Sequence, residues 1–178
     1  EERRLGRVLS DLDRRYGIRL ASIAGGQADN AIPTEALAVV AVEDADFEAA
    51  ARRVAEWNVV FAHELKASDG ARDASGRHFD VKVELRRTEP AATVYTAAMQ
   101  RKILFAAMLL PTGVQAMDLN NPAQLLPETS SNFAMIEACD GMLTFTVSTR
   151  SSLPGKKELL EDQVRLIAGS IGASMAKE

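Results

Sequence analysis

The chain has 178 residues, 47% hydrophobic and 26% charged, with a net charge of −4. That length and balance suit one globular domain able to bury a core without disulfides or metal. Its 21 basic residues are scattered, at most in adjacent pairs such as Arg3-Arg4, Arg14-Arg15, Arg52-Arg53 and Arg86-Arg87. This argues against nucleic acid or an anionic membrane surface as a partner.

A single cysteine, Cys139, excludes an intrachain disulfide and fits a reducing compartment, so the cytoplasm is the expected location. The most apolar segment, Ile103 to Leu110, is far too short to span a bilayer, and no signal peptide is recognisable. The chain has no initiator Met and opens directly in helical sequence, so it is expected to be a piece of a longer protein.

In chain order, residues 1 to 16 place Leu5, Val8, Leu9 and Leu12 on one helical stripe, closed by Tyr16-Gly17. Ile18 to Ala24 is a short strand ended by Gly25-Gly26, and Gln27 to Pro33 a loop. Ala36 to Val42 reads as a continuous apolar strand of the buried kind. Glu43, Asp44 and Asp46 suit the positive end of a helix dipole; that helix runs to about Lys66 and buries Phe47, Val54, Trp57, Phe61 and Leu65. Asp69 to Gly76 is a polar turn. Phe79, Val81, Val83 and Leu85 then alternate with Asp80, Lys82, Glu84 and Arg86, the pattern of a half-buried strand.

Pro90 suits the first turn of a helix that continues to Leu110 through Val94, Met99, Ile103 and Leu104, stopped by Pro111-Thr112-Gly113. A strand near Val114 to Leu119 leads through the loop Asn120 to Pro127 into a hairpin. Asp140-Gly141 tolerates the positive φ values of its tight turn. The outgoing strand alternates Leu143, Phe145 and Val147 with Thr144, Thr146 and Ser148 and ends at Arg150. Pro154 starts the last helix, with Leu159, Leu160, Val164, Ile167 and Ile171. The order α-β-β-α-β-α-β-β-β-α predicts a two-layer α+β domain, a mostly antiparallel sheet with helices packed on one face. Both terminal helices lack a next strand, so β-α-β-β-α-β units are expected to be completed by further sequence.

Metal-like patterns are weak. His63-Glu64 opens an H-E-x-x-H motif, but Ala67 stands where the second histidine belongs. His78 and Asp80 share a strand face, yet that face continues as Lys82, Glu84 and Arg86, a solvated stripe without further ligands. Cys139 beside the hairpin turn reads as a packed or incidental thiol rather than a nucleophile. Gly25-Gly26 is more simply a strand terminus, and no G-x-S-x-G, Walker or dinucleotide pattern occurs. Two polar positions remain. Asn30 precedes Ala31-Ile32-Pro33, where proline holds Ile32 extended, so Asn30 sits in a stiff loop, either bonding its own backbone or offering its amide to a ligand. Arg150 is either a solvated strand-end charge or a fork aimed at a carboxylate or carbonyl.

ASIAGGQADNAIPTEALAVVAV (Ala21 to Val42) and LPETSSNFAMIEACDGMLTFTVSTRSS (Leu126 to Ser152) resemble the lid domain of the cytosolic aminoacyl-histidine dipeptidases, the peptidase D family. The Gly-Gly-x3-Asn-Ala-Ile-Pro block, the Glu-Thr-Ser-x-Asn block and the strand ending in Arg-Ser occur in that order. The final helix, through Leu166-Ile167-Ala168-Gly169, is similar too, while Ala67 to Pro111 matches only in its general pattern. The resemblance implies a ferredoxin-like lid, extended or duplicated, that interrupts the catalytic domain of a dinuclear-zinc exopeptidase and often forms its dimer contact. It implies that two zinc ions and the catalytic carboxylate belong to sequence before and after the lid, with no catalytic or metal residue in this chain. His78-Phe79-Asp80 is then a chance match to the family's H-x-D motif, and neither His63 nor His78 occupies the position of the relatives' lid histidine.

Asn30 and Arg150 match lid residues that hold substrate. Many relatives carry an arginine soon after the Asn-x-Ile-Pro strand; Ala36 to Asp46 contains none, which leaves Arg150. Residues 1–178 are thus expected to form a single lid and dimerisation domain, inactive alone, whose partners are a small peptide, a catalytic domain and a second copy. The competing expectation is a stand-alone α+β module that binds a small ligand or dimerises in a regulatory role.

Overall fold

The computed structural model describes residues 2–68, 81–119 and 126–177, the side chains of 66–68 aside. The elements in order are α1 (Glu2–Tyr16), β1 (Arg19–Gly25), β2 (Ala36–Ala41), a short 3-10 turn over Asp44–Asp46, α2 (Phe47–Ser68), α3 (Ala97–Leu109), β3 (Gly113–Met117), β4 (Pro127–Cys139), β5 (Met142–Ser151) and α4 (Pro154–Ile171). The five strands form one sheet in which every paired neighbour is antiparallel. This is the α+β class that the element order predicts.

β4 is the long central strand. One side pairs along its length with β5; the other meets β3 near Ser130 and β1 at Ile136. The Asp140-Gly141 turn has φ of 51° and 76°, the doubly left-handed backbone of a two-residue hairpin. Two of the sheet's bulges shift the phase of core side chains. An extra residue after Leu20 in β1 lets both Leu20 and Ile23 point at the core, and one after Phe133 in β4 does the same for Phe133 and Ile136. These side chains pack with Val8, Leu9 and Leu12 of α1, Val54 and Phe61 of α2, and Ile103 of α3 into one apolar cluster. Leu160 is buried on α4 and Val164, Ile167 and Ile171 are partly so, whereas Leu159 faces outward.

Three expectations fail, each for a visible reason. The third helix begins at Ala97, not near Pro90. The Tyr95 N–H donates to the Leu20 carbonyl at 2.7 Å and Arg19 donates to the Tyr95 carbonyl, pinning that segment against β1. The helix then starts where the Thr96 hydroxyl accepts from the Met99 N–H. β2 is an edge strand rather than a buried one, with Leu37 69% exposed. Residues 81–87 keep their alternation, Val81, Val83 and Leu85 packing inward between exposed neighbours, but join no strand ladder among the described residues. Phe79, the polar turn at Asp69–Gly76 and most of the loop Asn120–Pro127 lie outside the described residues.

Two buried polar groups brace the layers. Gln100 on α3 donates to the Ile18 carbonyl (2.9 Å) and the Asp13 carboxylate (2.7 Å) and accepts from the Leu20 N–H (2.7 Å). Asp11 on α1 accepts from Arg53 (2.5 Å), Arg15 (2.9 Å) and the Trp57 indole (3.0 Å). Burial pulls the Asp11 carboxyl upward, but the hydrogen bonds from Arg53, Arg15 and Trp57 outweigh it and lower it from 3.8 to about 2. A carboxylate with a depressed folded pKa contributes its stability above its ordinary pKa and loses it as pH falls toward the folded value. Asp11 therefore contributes about 2 kcal/mol at neutral pH, lost between roughly pH 4 and 2. Urea midpoints compared at pH 6 and pH 2.5 check this: Asp11→Asn should destabilise the chain at pH 6 and reduce the loss that acid causes.

Candidate functional site

The Glu-Thr-Ser-x-Asn block of β4 divides between the two faces of the sheet, because alternate residues of a strand point in opposite directions. Thr129, Ser131 and Phe133 are buried toward the helices. There the Thr129 and Ser151 hydroxyls share a hydrogen bond, and Ser131 donates to the Pro111 carbonyl just past α3. Ser130 and Asn132 face away from the helices, beside their direct partners Arg150 and Ser148 on β5. Part of the block thus holds β4 and β5 to the helical layer, and part furnishes a polar patch on the open face.

The loop carrying Asn30 is held onto that same face. Its ends are closed by the Gly26 N–H donating to the Glu35 carbonyl at 3.1 Å. Pro33 is buried and anchors it, while Asn30 and Ile32 are exposed. At its middle the Asn132 amide donates to the Ala31 carbonyl at 2.6 Å. Gly26 makes this crossing possible: its φ is 76°, and a Cβ there would lie 1.8 Å from the Ala134 carbonyl oxygen in the bulge of β4. The neighbour of Asn30 is therefore tied to Asn132; Asn132 pairs with Ser148, and Arg150 follows two residues on, about 7 Å along the strand.

Arg150 is exposed and makes no ion pair among the described residues. The carboxylate of Glu128, two residues before Ser130 in sequence, is taken by Lys156 of α4 at 2.5 Å, and that bond holds its pKa below the ordinary value. The patch accordingly offers an unpaired guanidinium, two serine hydroxyls and a loop asparagine, a set of donors suited to a carboxylate or carbonyl oxygen. It is an open surface: the clefts of about 600 and 350 Å³ have neither Asn30 nor Arg150 in their lining.

Among the described residues no three His, Cys, Asp or Glu side chains converge to hold a metal ion. His63 is exposed on α2, and its neighbour Glu64 is engaged by both terminal nitrogens of Arg7 at 2.7 Å. His78 and Asp80 lie outside the described residues. Cys139 is exposed at the end of β4, its thiol directed at the Asp140 carboxylate. No helix among the described residues is long and apolar enough to cross a membrane.

Sequence reasoning singled out Asn30 and Arg150 but assigned nothing to Asn132 or Gly26. Asn132 stood in the quoted block, and its place opposite the buried Thr129 and Ser131 in a period-two pattern was the available signal.

No protein-family model and no curated protein matches the chain. Among solved structures, the aminoacylhistidine dipeptidase of Vibrio alginolyticus matches 97% of the chain with a TM-score of 0.79 and 23% identity. The fold is that of a segment of this dipeptidase. The chain spans only 33% of the length of the dipeptidase it matches.

Proposed function

We propose that the chain is the lid and dimerisation domain of a cytoplasmic dinuclear-zinc dipeptidase acting on dipeptides such as aminoacyl-histidine. Three things support the reading: the ordered motif blocks, the fold shared with a dipeptidase, and the geometry of the open sheet face. The observation that carries it is the Asn132–Ala31 hydrogen bond, which holds the Asn30 loop on the face that bears Arg150.

An open polar face becomes a binding site when a second body covers it and excludes water. In this reading a catalytic domain supplies that body. Asn30 bonds the carbonyl and Arg150 the terminal carboxylate of a dipeptide, fixing its orientation. The metal and the hydrolytic step belong, in this reading, to that other domain, as the motif resemblance implies. The isolated chain is expected to be inactive.

β5 has no partner along its outer edge among the described residues, which suits edge-to-edge pairing with a second copy.

In a full-length enzyme carrying this domain, Arg150→Ala should lower kcat/KM for an aminoacyl-histidine dipeptide by about 10- to 100-fold. That is the loss of one charged hydrogen-bond partner, about 1.5–3 kcal/mol. Retention of near wild-type activity would remove Arg150 from the site.

A further inference from the structure

The cleft of about 600 Å³ lies between the free edge of β2 and the extended segment 81–87. Its floor is apolar, formed by Val8, Leu9 and Leu12 of α1 and Val54 of α2. One wall carries Ala36, Leu37, Ala38 and Val40; the other carries Lys82, Val83, Glu84 and Leu85.

The Val83 N–H donates to the Asn58 side-chain Oδ1 at 2.7 Å, and the Asn58 side-chain Nδ2 donates to the Val83 carbonyl at 2.9 Å. Both backbone groups of Val83 therefore face α2. In an extended chain the N–H and C=O of one residue point to one edge and those of its neighbours to the other. Lys82 and Glu84 thus turn their backbone groups away from Asn58, toward the cleft and β2. No backbone partner satisfies them among the described residues, nor the outward groups of β2. Two backbone rails without partners among the described residues thus face each other across an apolar floor.

We propose that residues 81–87 close onto the free edge of β2 as a sixth strand. The side-chain pattern is already set for it. Val81, Val83 and Leu85 pack on the core and Lys82, Glu84 and Arg86 point outward, so pairing requires only that the two rails approach. Asn58 acts as the latch that fixes which edge of the segment faces β2. Closure would remove an exposed sheet edge, which is favourable; the floor side chains are already buried, at 2–3% exposure, so the gain lies in the paired backbone. It would also clamp Gly26, Gln27, Thr34 and Glu35, which line the end of the cleft and form the base of the Asn30 loop. The inference rests on backbone pairing alone and stands whether or not that loop touches a peptide.

Residue-resolved amide hydrogen exchange on the 178-residue chain tests it, with Val83 as internal control because Asn58 bonds its N–H in either state. Closure predicts that the Lys82 and Glu84 amides, and the β2 amides not bonded to β1, exchange about tenfold or more slowly than in an unstructured chain. This protection should be independent of protein concentration. Glu84→Pro, which removes one groove-facing donor, should lower the protection of β2. Free exchange at Lys82 and Glu84 beside a protected Val83 would overturn the proposal. So would protection that grows with concentration, or β2 protection unaffected by Glu84→Pro.

Discussion

Gly26→Ala should destabilise the chain by about 3–5 kcal/mol, lowering Tm by roughly 10 °C or more at this chain length. Two costs combine. A side chain at φ 76° carries the left-handed penalty of about 1 kcal/mol. The added Cβ would also lie 1.8 Å from the Ala134 carbonyl oxygen and 2.9 Å from its carbon, so β1 and β4 would have to separate where they pair. Backbone cannot yield there as a flexible side chain could. Gly141 provides the control, since it has the same φ of 76° with nothing within 4 Å of its ideal Cβ. Gly141→Ala should therefore cost only the conformational part, about 1 kcal/mol. Thermal unfolding of the two variants side by side separates the effects; equal losses would mean that close approach at Ala134 contributes nothing.

The second large effect is expected at Gln100. Gln100→Leu keeps the apolar bulk but leaves the Leu20 N–H and the Ile18 carbonyl without their side-chain partner at the junction of α1, β1 and α3. Each buried group stripped of its partner costs about 1–3 kcal/mol, so a loss of about 3 kcal/mol is expected from urea denaturation. Gln100→Glu should be no better at neutral pH. It retains an acceptor for Leu20 but turns a carboxylate toward the Ile18 carbonyl and the Asp13 carboxylate. A loss under about 0.5 kcal/mol for Gln100→Leu would show that the brace is dispensable.

Local chemistry made much of this fold legible. The Leu5–Leu12 stripe specified α1, Pro154 opened α4, and Asp140-Gly141 located the hairpin to the residue, because each signal is complete within a few positions. The failures concern partners that local patterns do not encode. Period-two alternation in Val81–Leu85 reports which face is buried, and it is, but says nothing about whether a strand lies at the edge. The apolar run Ala36–Val42 reads the same for a central strand and for the edge strand it is. Pro90 would suit a helix start, but the pairing of Tyr95 with Leu20 delays the helix until Thr96 can cap it.

The candidate site was legible in the same partial way. Residue type and position singled out Asn30 and Arg150 but left each with a bland alternative, and only the motif resemblance gave them a substrate role. The tie that brings their segments to one face spans 101 residues, from Ala31 to Asn132, and the glycine that permits it looked like a simple strand end. The 23% identity to a structure sharing the fold is consistent with that division, since apolar pattern and turn geometry can persist while most surface positions change.

The central claim is that Asn30 and Arg150 act on one ligand from one face. A double-mutant cycle on kcat/KM, with Asn30→Ala, Arg150→Ala and the pair in a full-length enzyme carrying this domain, tests it most directly. A shared ligand requires a marked loss for each single variant and a loss for the pair that differs from their sum by about 0.5 kcal/mol or more, as for residues sharing one substrate. Strict additivity, or single variants with wild-type activity, would contradict it.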